Sequence, residues 1–128
     1  MKKIIIQFNE ANFDIIEKYA NKYNFASLKK IISSNTQIIT NSEKQYENLE
    51  PWIQWYSFYT SKSFDQHKVF HLNDGIKKND QNFLDEILNL GKSVGIFGSM
   101  NLPPNLKYNI YIPDPWSNAQ TDNSYSSK

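Results

Sequence analysis

The segment that decides the fold is residues 87–98, which read Ile87-Leu88-Asn89-Leu90-Gly91-Lys92-Ser93-Val94-Gly95-Ile96-Phe97-Gly98. Its first half continues a helical spacing of apolar residues, which predicts a helix that begins at Asp80 or Asn82. Gly91 stands where the left-handed residue that ends a helix belongs. Ser93–Gly98 then forms a short apolar run typical of a buried strand. A helix followed directly by a strand predicts an α/β fold.

The same alternation of strands and helices extends through the rest of the chain. Ile4–Phe8 and Gln37–Thr40 predict two earlier strands, and Tyr108–Ile112 predicts a later one. Between the first two strands, Asn12 and Asn24 are placed to cap two helices. We therefore expect a mainly parallel sheet flanked by helices.

Composition limits the class of protein. The chain has 128 residues, and we assign residues 1–117 to one domain and the polar residues 118–128 to a disordered tail. A net charge of +1 and the lack of arginine argue against a nucleic-acid-binding protein. The chain has no cysteine, which excludes disulfides and thiolate nucleophiles. Because no apolar run is long enough for a signal peptide or a membrane span, we predict a cytoplasmic protein.

A second informative segment begins at Glu50, where a carboxylate precedes Pro51 and an aromatic stretch. Because proline favours the first position of a helix, Glu50 would lie beside the free N–H groups of the helix start. Glu50 is then either a helix-start carboxylate or a metal ligand or nucleophile. The aromatic residues that share one face of this helix are Trp52, Trp55, Tyr56 and Tyr59. That face either packs in the core or contacts sugar rings or another protein.

In parallel sheets, ligands bind beyond the carboxyl ends of the strands. Three segments follow predicted strands here, namely Asn9-Glu10, Gly98–Asn101 and Pro113–Trp116. We expect them to converge on one edge together with the Glu50 helix start. Glu10 and Glu50 are then candidate ligands of a divalent metal, because carboxylate oxygens suit Mg²⁺, Mn²⁺ and Zn²⁺.

The order of these pieces resembles the N-terminal part of the alkaline phosphatase-like superfamily. The likeness is greatest to its phosphodiesterase, nucleotide pyrophosphatase and sulfatase-like branches, and to uncharacterised relatives associated with surface-polysaccharide genes. The matching pieces are Ile4–Glu10, Glu50–Trp52, Thr60–Lys62, His67–Phe70, Ile87–Gly98 and Pro103-Pro104. The resemblance covers about residues 3–117 and implies an incomplete three-layer α/β sandwich.

The resemblance also implies a metal-dependent hydrolase of phosphate or sulfate esters. It assigns Asn9, Glu10 and Glu50 to the metal site, and Glu50 and His67 to catalytic positions. The candidate substrate-binding residues are Trp52, Trp55, Asn101, Asp114 and Trp116.

The chain departs from the family pattern at several of these positions. No Ser or Thr occupies the nucleophile position, where Glu50 or Pro51 stands, and the family's glycines after Thr60 and His67 are missing. The family's further Asp and His ligands lie beyond the segment that this chain covers. We therefore predict that Zn²⁺, Mn²⁺ or Mg²⁺ is not bound tightly by this chain alone.

These departures leave open whether the chain is an enzyme. We predict that the isolated chain is catalytically inactive. It would then be either a truncated product or one piece of a split protein. Its expected partners are the missing C-terminal part or another copy of itself. The alternative function is a non-catalytic module that binds carbohydrate or another protein through the aromatic helix.

Overall fold

The computed structural model describes residues 2–34, 36, 38–117 and 125–126. The chain divides into two compact units, Met1–Asn41 and Ser42–Lys128, whereas the sequence analysis assigned residues 1–117 to one domain. The predicted disorder of the tail stays a prediction, because residues 118–124, 127 and 128 lie outside the described residues.

The first unit contains two helices that contact each other, α1 (Phe13–Lys22) and α2 (Ala26–Ser34). Asn12 caps α1 as predicted, because its side-chain oxygen accepts a hydrogen bond from the Ile15 N–H at 3.0 Å. Asn24 does not cap α2. It adopts a left-handed conformation with φ 54°, and its side-chain oxygen accepts from Lys29 Nζ instead.

The two strands predicted in this unit are wrong where they fall on described residues. Residues 2–8 and 38–40 form no strand, and Ile4 is 85% exposed. An apolar run becomes a strand only when neighbouring strands accept and donate its backbone hydrogen bonds, and the described sheet pairing all lies within residues 95–126. Gln37, the first residue of the second predicted strand, lies outside the described residues.

The second unit confirms the α/β class. Its helices are α3 (Pro51–Thr60), α4 (Phe64–His67) and α5 (Phe83–Asn89), with short 3-10 helices at Tyr46–Asn48 and Gly75–Lys77. Its strands are β1 (Gly95–Ser99), β2 (Ile110–Pro113) and β3 (Tyr125–Ser126). β1 pairs with β2 in parallel, as the sequence predicted, and β3 adds to β2 in the antiparallel direction.

Both ends of α5 follow the sequence prediction. The Asn82 side chain accepts hydrogen bonds from the Leu84 and Asp85 N–H groups, which caps the helix start. Gly91 ends the helix with φ 70°, and the Lys92 N–H donates to the Ile87 carbonyl at 3.2 Å. This is the left-handed termination that favours glycine.

Among the described residues of the second unit, the buried cluster packs against one face of the sheet. The buried cluster beneath it consists of Tyr59, Leu84, Val94, Leu102, Tyr108 and Tyr111. The alternate side chains of β1 and β2 are exposed, with Phe97 84% exposed and Ile110 and Ile112 also exposed. We call Phe97, Ile110 and Ile112 the open sheet face.

The register of β1 and β2 shifts by one residue at Gly98. Phe97 pairs with Ile112, and Ser99 pairs with Pro113, which leaves Gly98 as an extra residue with φ 71°. In an uninterrupted strand Ser99 would share the exposed face of Phe97, because side chains alternate with a period of two. The extra residue changes that alternation, and Ser99 is buried.

Candidate functional site

The carboxyl ends of β1 and β2 lie at one edge of the sheet because the two strands are parallel. The Asp114 N–H donates to the Ser99 carbonyl at 3.1 Å, which joins the segments that follow the strands. Asn101 Nδ2 donates to the Trp52 carbonyl at 3.2 Å, which places the first turn of α3 beside this edge. The predicted convergence of Gly98–Asn101, Pro113–Trp116 and the start of α3 is therefore confirmed. Asn9 and Glu10 belong to the other unit, and their part in the convergence stays a prediction.

Asn101 is fully buried and uses every hydrogen-bonding position of its amide. Its Oδ1 accepts from the Asn73 N–H at 2.6 Å and from the Gly75 N–H at 3.3 Å. Its Nδ2 donates to the carbonyls of Trp52 and His71. The amide therefore connects β1 to α3 and to the loop before the second 3-10 helix. Binding substrate through this side chain, as predicted from the sequence, would require breaking one of these four bonds.

Asp114 and Trp116 lie in a turn directly after β2. One carboxylate oxygen of Asp114, Oδ1, accepts from the Trp116 N–H at 2.8 Å, and the Ser117 N–H donates to the Asp114 carbonyl at 2.9 Å. Asp114 is only 7% exposed, whereas Trp116 is 72% exposed. The turn thus holds a buried carboxylate next to an exposed indole ring.

Glu50 is the residue that precedes α3, as predicted, but its side chain caps no N–H group and is exposed. Within residues 2–34, 36 and 38–117, no group of three or more His, Asp or Glu side chains could hold a metal ion. The predicted ligands Asn9 and Glu10 are also exposed. The described donor set does not fit a closed metal site, and metal binding stays a prediction.

His67 lies at the end of α4 and is 1% exposed. Its Nδ1 accepts from the Val69 N–H at 2.9 Å, so the ring proton is on Nε2, which donates to Ser57 Oγ at 2.8 Å. His67 in this tautomer cannot accept the Ser57 proton as a general base would. Burial, reinforced by the nearby Lys78 ammonium, lowers the pKa of His67 and favours the neutral ring.

This arrangement makes folding stability depend on pH. Below about pH 6.5, the usual pKa of histidine, the unfolded chain binds a proton that the folded chain excludes. We expect the free energy of unfolding to be highest above pH 6.5 and to fall as pH drops toward the folded-state pKa, by at most about 1.4 kcal/mol per pH unit. Urea unfolding followed at pH 5.5, 6.5 and 7.5 measures this slope.

Two histidine variants show which histidine causes the dependence of unfolding free energy on pH. His67→Asn retains an acceptor for the Val69 N–H but cannot titrate, so the slope should flatten. His71→Asn should leave the slope in place, because His71 is exposed and the hydrogen bonds described for it are made by its backbone. An unchanged slope in His67→Asn would contradict the assignment.

The aromatic face of α3 contributes mainly to the core. Tyr56 and Tyr59 are buried, and the Tyr56 hydroxyl donates to Asp80 Oδ2 at 2.9 Å. Trp52 and Trp55 are half-buried, and Trp52 Nε1 donates to the Phe70 carbonyl at 2.9 Å. Two of the four residues are therefore inaccessible to a ligand.

Sequence reasoning missed three serines that the structure places in this region. Ser57 is the partner of His67, and Ser99 and Ser117 are buried at the strand ends. Ser99 lies in a segment that the sequence identified, but its burial depends on the extra residue at Gly98. No sequence signal marked Ser57, because its role arises from a contact between α3 and α4.

Comparison with protein-family models, curated proteins and solved structures finds no match for this chain. Among the described residues, none of the helices has both the length and the apolar character needed to cross a membrane.

Proposed function

We propose that this chain forms part of a cytoplasmic, metal-dependent phosphoester or sulfoester hydrolase-like protein of surface-polysaccharide metabolism. The observation that carries the proposal is the convergence of Ser99–Asn101, Asp114–Ser117 and the start of α3 at the carboxyl edge of β1 and β2. This edge is where parallel α/β proteins bind their ligands. The chain supplies one side of such a site and is catalytically inactive in isolation.

The open sheet face supports the view that further structure belongs on this unit. Parallel sheets normally have both faces covered by other elements. Here Phe97, Ile110 and Ile112 are exposed, although their neighbours on the opposite face pack into a core. A partner surface, such as another copy of the chain, would bury this face.

The hydrogen bonds of the side chains in this region also support the proposal that the chain alone is catalytically inactive. Asn101 has no free hydrogen-bonding position, and both nitrogens of His67 are engaged. The burial of Tyr56 and Tyr59 favours this function over a carbohydrate-binding or protein-binding module built on the aromatic helix.

The test combines an activity measurement with a binding measurement. We expect no hydrolysis of bis-p-nitrophenyl phosphate or p-nitrophenyl sulfate in Mn²⁺ or Zn²⁺. Glucose 1-phosphate should nevertheless shift the amide resonances of residues 98–101 and 114–117 in ¹H–¹⁵N spectra. Metal-dependent turnover that is lost in Glu50→Ala would overturn the inactivity, and unchanged resonances would overturn the site.

The open sheet face leads to a prediction about association. Exposed apolar side chains on a sheet favour burial against a second surface, so we expect the isolated chain to form dimers or larger species. Phe97→Lys should shift it toward monomer, because it places a charge at the centre of the face. Size-exclusion chromatography with light scattering measures the change.

Leu106→Lys is the matched control for this prediction. Leu106 is also highly exposed but lies between β1 and β2 in the chain, outside the open sheet face. The control should retain the association state of the unmodified chain. A wild-type protein that is monomeric at high concentration would contradict the prediction.

A further inference from the structure

The pair of helices in the first unit carries a continuous apolar surface that is exposed. The Tyr19 and Tyr23 rings stack with their centroids 5.8 Å apart, and the Phe25 ring lies 5.9 Å from the Tyr23 ring. Each of these three side chains is about half exposed. Ile15 and Leu28 are also exposed, and they extend the surface because residues three or four positions apart are neighbours on a helix. We call Ile15, Tyr19, Tyr23, Phe25 and Leu28 the hairpin stripe.

The contact between the two helices does not use this stripe up. α1 and α2 contact each other, and Ala20 of α1 is buried, whereas all five residues of the stripe stay exposed. The apolar face of a helix normally packs into a core. A contiguous group of exposed apolar side chains marks a surface that contacts another molecule or a membrane, so the stripe is a candidate contact surface.

Positive charge accompanies the stripe at the turn between the helices. Residues 18–30 contain four lysines and no acidic residue. The lysines are Lys18, Lys22, Lys29 and Lys30. Lys22 Nζ lies 5.1 Å from the centroid of the Tyr23 ring, and Lys29 Nζ donates to Asn24 Oδ1 at 3.1 Å. None of the four lysines forms an ion pair with a described residue, so this surface favours an anionic partner.

The rest of the chain does not share this charge. Residues 1–41 contain six lysines and three acidic residues, whereas residues 42–128 contain eight lysines and ten acidic residues. The small net charge of the whole chain therefore conceals a basic first unit and an acidic second unit. An anionic surface attracts the first unit selectively.

We propose that the hairpin stripe and its lysines bind the surface of an anionic lipid bilayer. The apolar side chains enter the boundary between headgroups and acyl chains, and the lysines beside them contact the lipid phosphates. This is attachment to a membrane surface, which needs no helix long enough to span the bilayer. The inference is independent of the proposed function, because it concerns the first unit alone.

The side chains of the stripe favour a membrane over two other partners. A single-stranded nucleic acid stacks on aromatic rings but does not require exposed aliphatic side chains, and here Ile15 and Leu28 are exposed. A second copy of the chain would bring the same lysines together, and like charges that meet across an interface repel. A bilayer with anionic headgroups matches both the apolar stripe and the lysines.

The experiment mixes the full chain with sucrose-loaded vesicles and measures the bound fraction by sedimentation over a range of lipid concentrations. One set of vesicles contains phosphatidylcholine alone, and the other also contains phosphatidylglycerol. We expect binding to the vesicles that contain phosphatidylglycerol. Added NaCl should weaken this binding, because salt screens exposed charges.

One pair of variants tests the lysines. Lys22→Gln should weaken vesicle binding about fivefold, which corresponds to about 1 kcal/mol for one lysine near an anionic surface. Lys107→Gln is the matched control, because it removes the same charge from an exposed position in the second unit. The control should bind vesicles like the unmodified chain.

A second pair of variants tests the apolar stripe. Phe25→Ser should weaken vesicle binding about tenfold, because it removes an apolar ring from the membrane interface. Phe25 directly precedes α2, and its carbonyl accepts from the Lys29 N–H. Serine favours this position, so α2 should still form, which circular dichroism checks. Leu106→Ser removes an exposed apolar side chain from the second unit and should leave binding unchanged.

Several outcomes would overturn the inference. Equal binding to vesicles with and without phosphatidylglycerol would contradict it, as would equal losses in Lys22→Gln and Lys107→Gln. If the chain binds a poly(dT) oligonucleotide but no vesicle, the stripe is a nucleic-acid surface. If no vesicle is bound and Phe25→Ser reduces self-association in light scattering, the stripe is an interface between copies of the chain.

Discussion

Gly75→Ala is expected to destabilise the second unit by about 3 kcal/mol, because overpacking a tightly filled site carries a cost of this size. A methyl group at Gly75 would lie 2.4 Å from the backbone oxygen of Asn101 and 2.6 Å from Cδ2 of the buried Tyr56 ring. Neither neighbour moves easily, because Asn101 is held by four hydrogen bonds and the Tyr56 hydroxyl by Asp80. Urea unfolding followed by tryptophan fluorescence measures the loss.

Gly95→Ala is the control for this substitution. A methyl group there meets its nearest neighbour, Ile110 Cβ, at 4.0 Å, which is an ordinary contact distance. Alanine in β1 should therefore be neutral or slightly stabilising, because it reduces the freedom of the unfolded chain. Equal effects of the two substitutions would contradict the close packing at Gly75.

Asn101→Ala is expected to have the largest effect, a loss of about 4 kcal/mol. It leaves the N–H groups of Asn73 and Gly75 without their acceptor, and each buried unsatisfied group costs about 1–3 kcal/mol. It also forces alanine into the left-handed conformation at φ 57°, which costs about 1–2 kcal/mol. Because whole domains are stable by only about 5–15 kcal/mol, a loss of this size should move the midpoint of the urea transition at 25 °C to a much lower urea concentration.

Asn101→Gly separates the two contributions. Glycine loses the same four side-chain hydrogen bonds but adopts positive φ without strain. It should therefore be about 1–2 kcal/mol more stable than the alanine variant while remaining well below the unmodified protein. An Asn101→Gly protein as stable as the original would show that the amide hydrogen bonds contribute little.

The parts of the fold that the sequence predicted are those that depend on local contacts. Asn12 and Asn82 cap helices through hydrogen bonds to residues two or three positions away, and Gly91 ends α5 within the same helix turn. The Glu50-Pro51 start of α3 is equally local. Such signals are complete within a few residues, so they can be recognised without knowledge of the tertiary structure.

The errors concern features that depend on distant partners. Ile4–Phe8 has the composition of a buried strand but forms no strand, because composition does not specify whether a neighbouring strand is present. The burial of His67 depends on Ser57, ten residues earlier, and on the ring of Tyr56. The resemblance assigns His67 to a catalytic position, which stays a prediction, and the structure shows a buried, neutral histidine whose hydrogen bond to Ser57 joins α3 and α4.

The sequence predicted where these segments meet, but it did not predict the hydrogen bonds that their side chains form. The parallel-strand rule located the segments after β1 and β2 at one edge, and the Asp114 to Ser99 hydrogen bond confirms it. The rule could not reveal that the Asn101 amide would be saturated by internal hydrogen bonds, because its partners come from two distant parts of the chain, Trp52 and residues 71–75.

The extra residue at Gly98 has a consequence for how this region tolerates insertions and deletions. Deleting Gly98 would place Ser99 directly after Phe97 and still opposite Pro113, so the alternation of side chains would keep its hydroxyl on the buried face. A single-codon deletion would thus make β1 continuous without exposing the serine. Homologous chains that lack this glycine should therefore retain both the parallel pair of strands and the buried position of the serine.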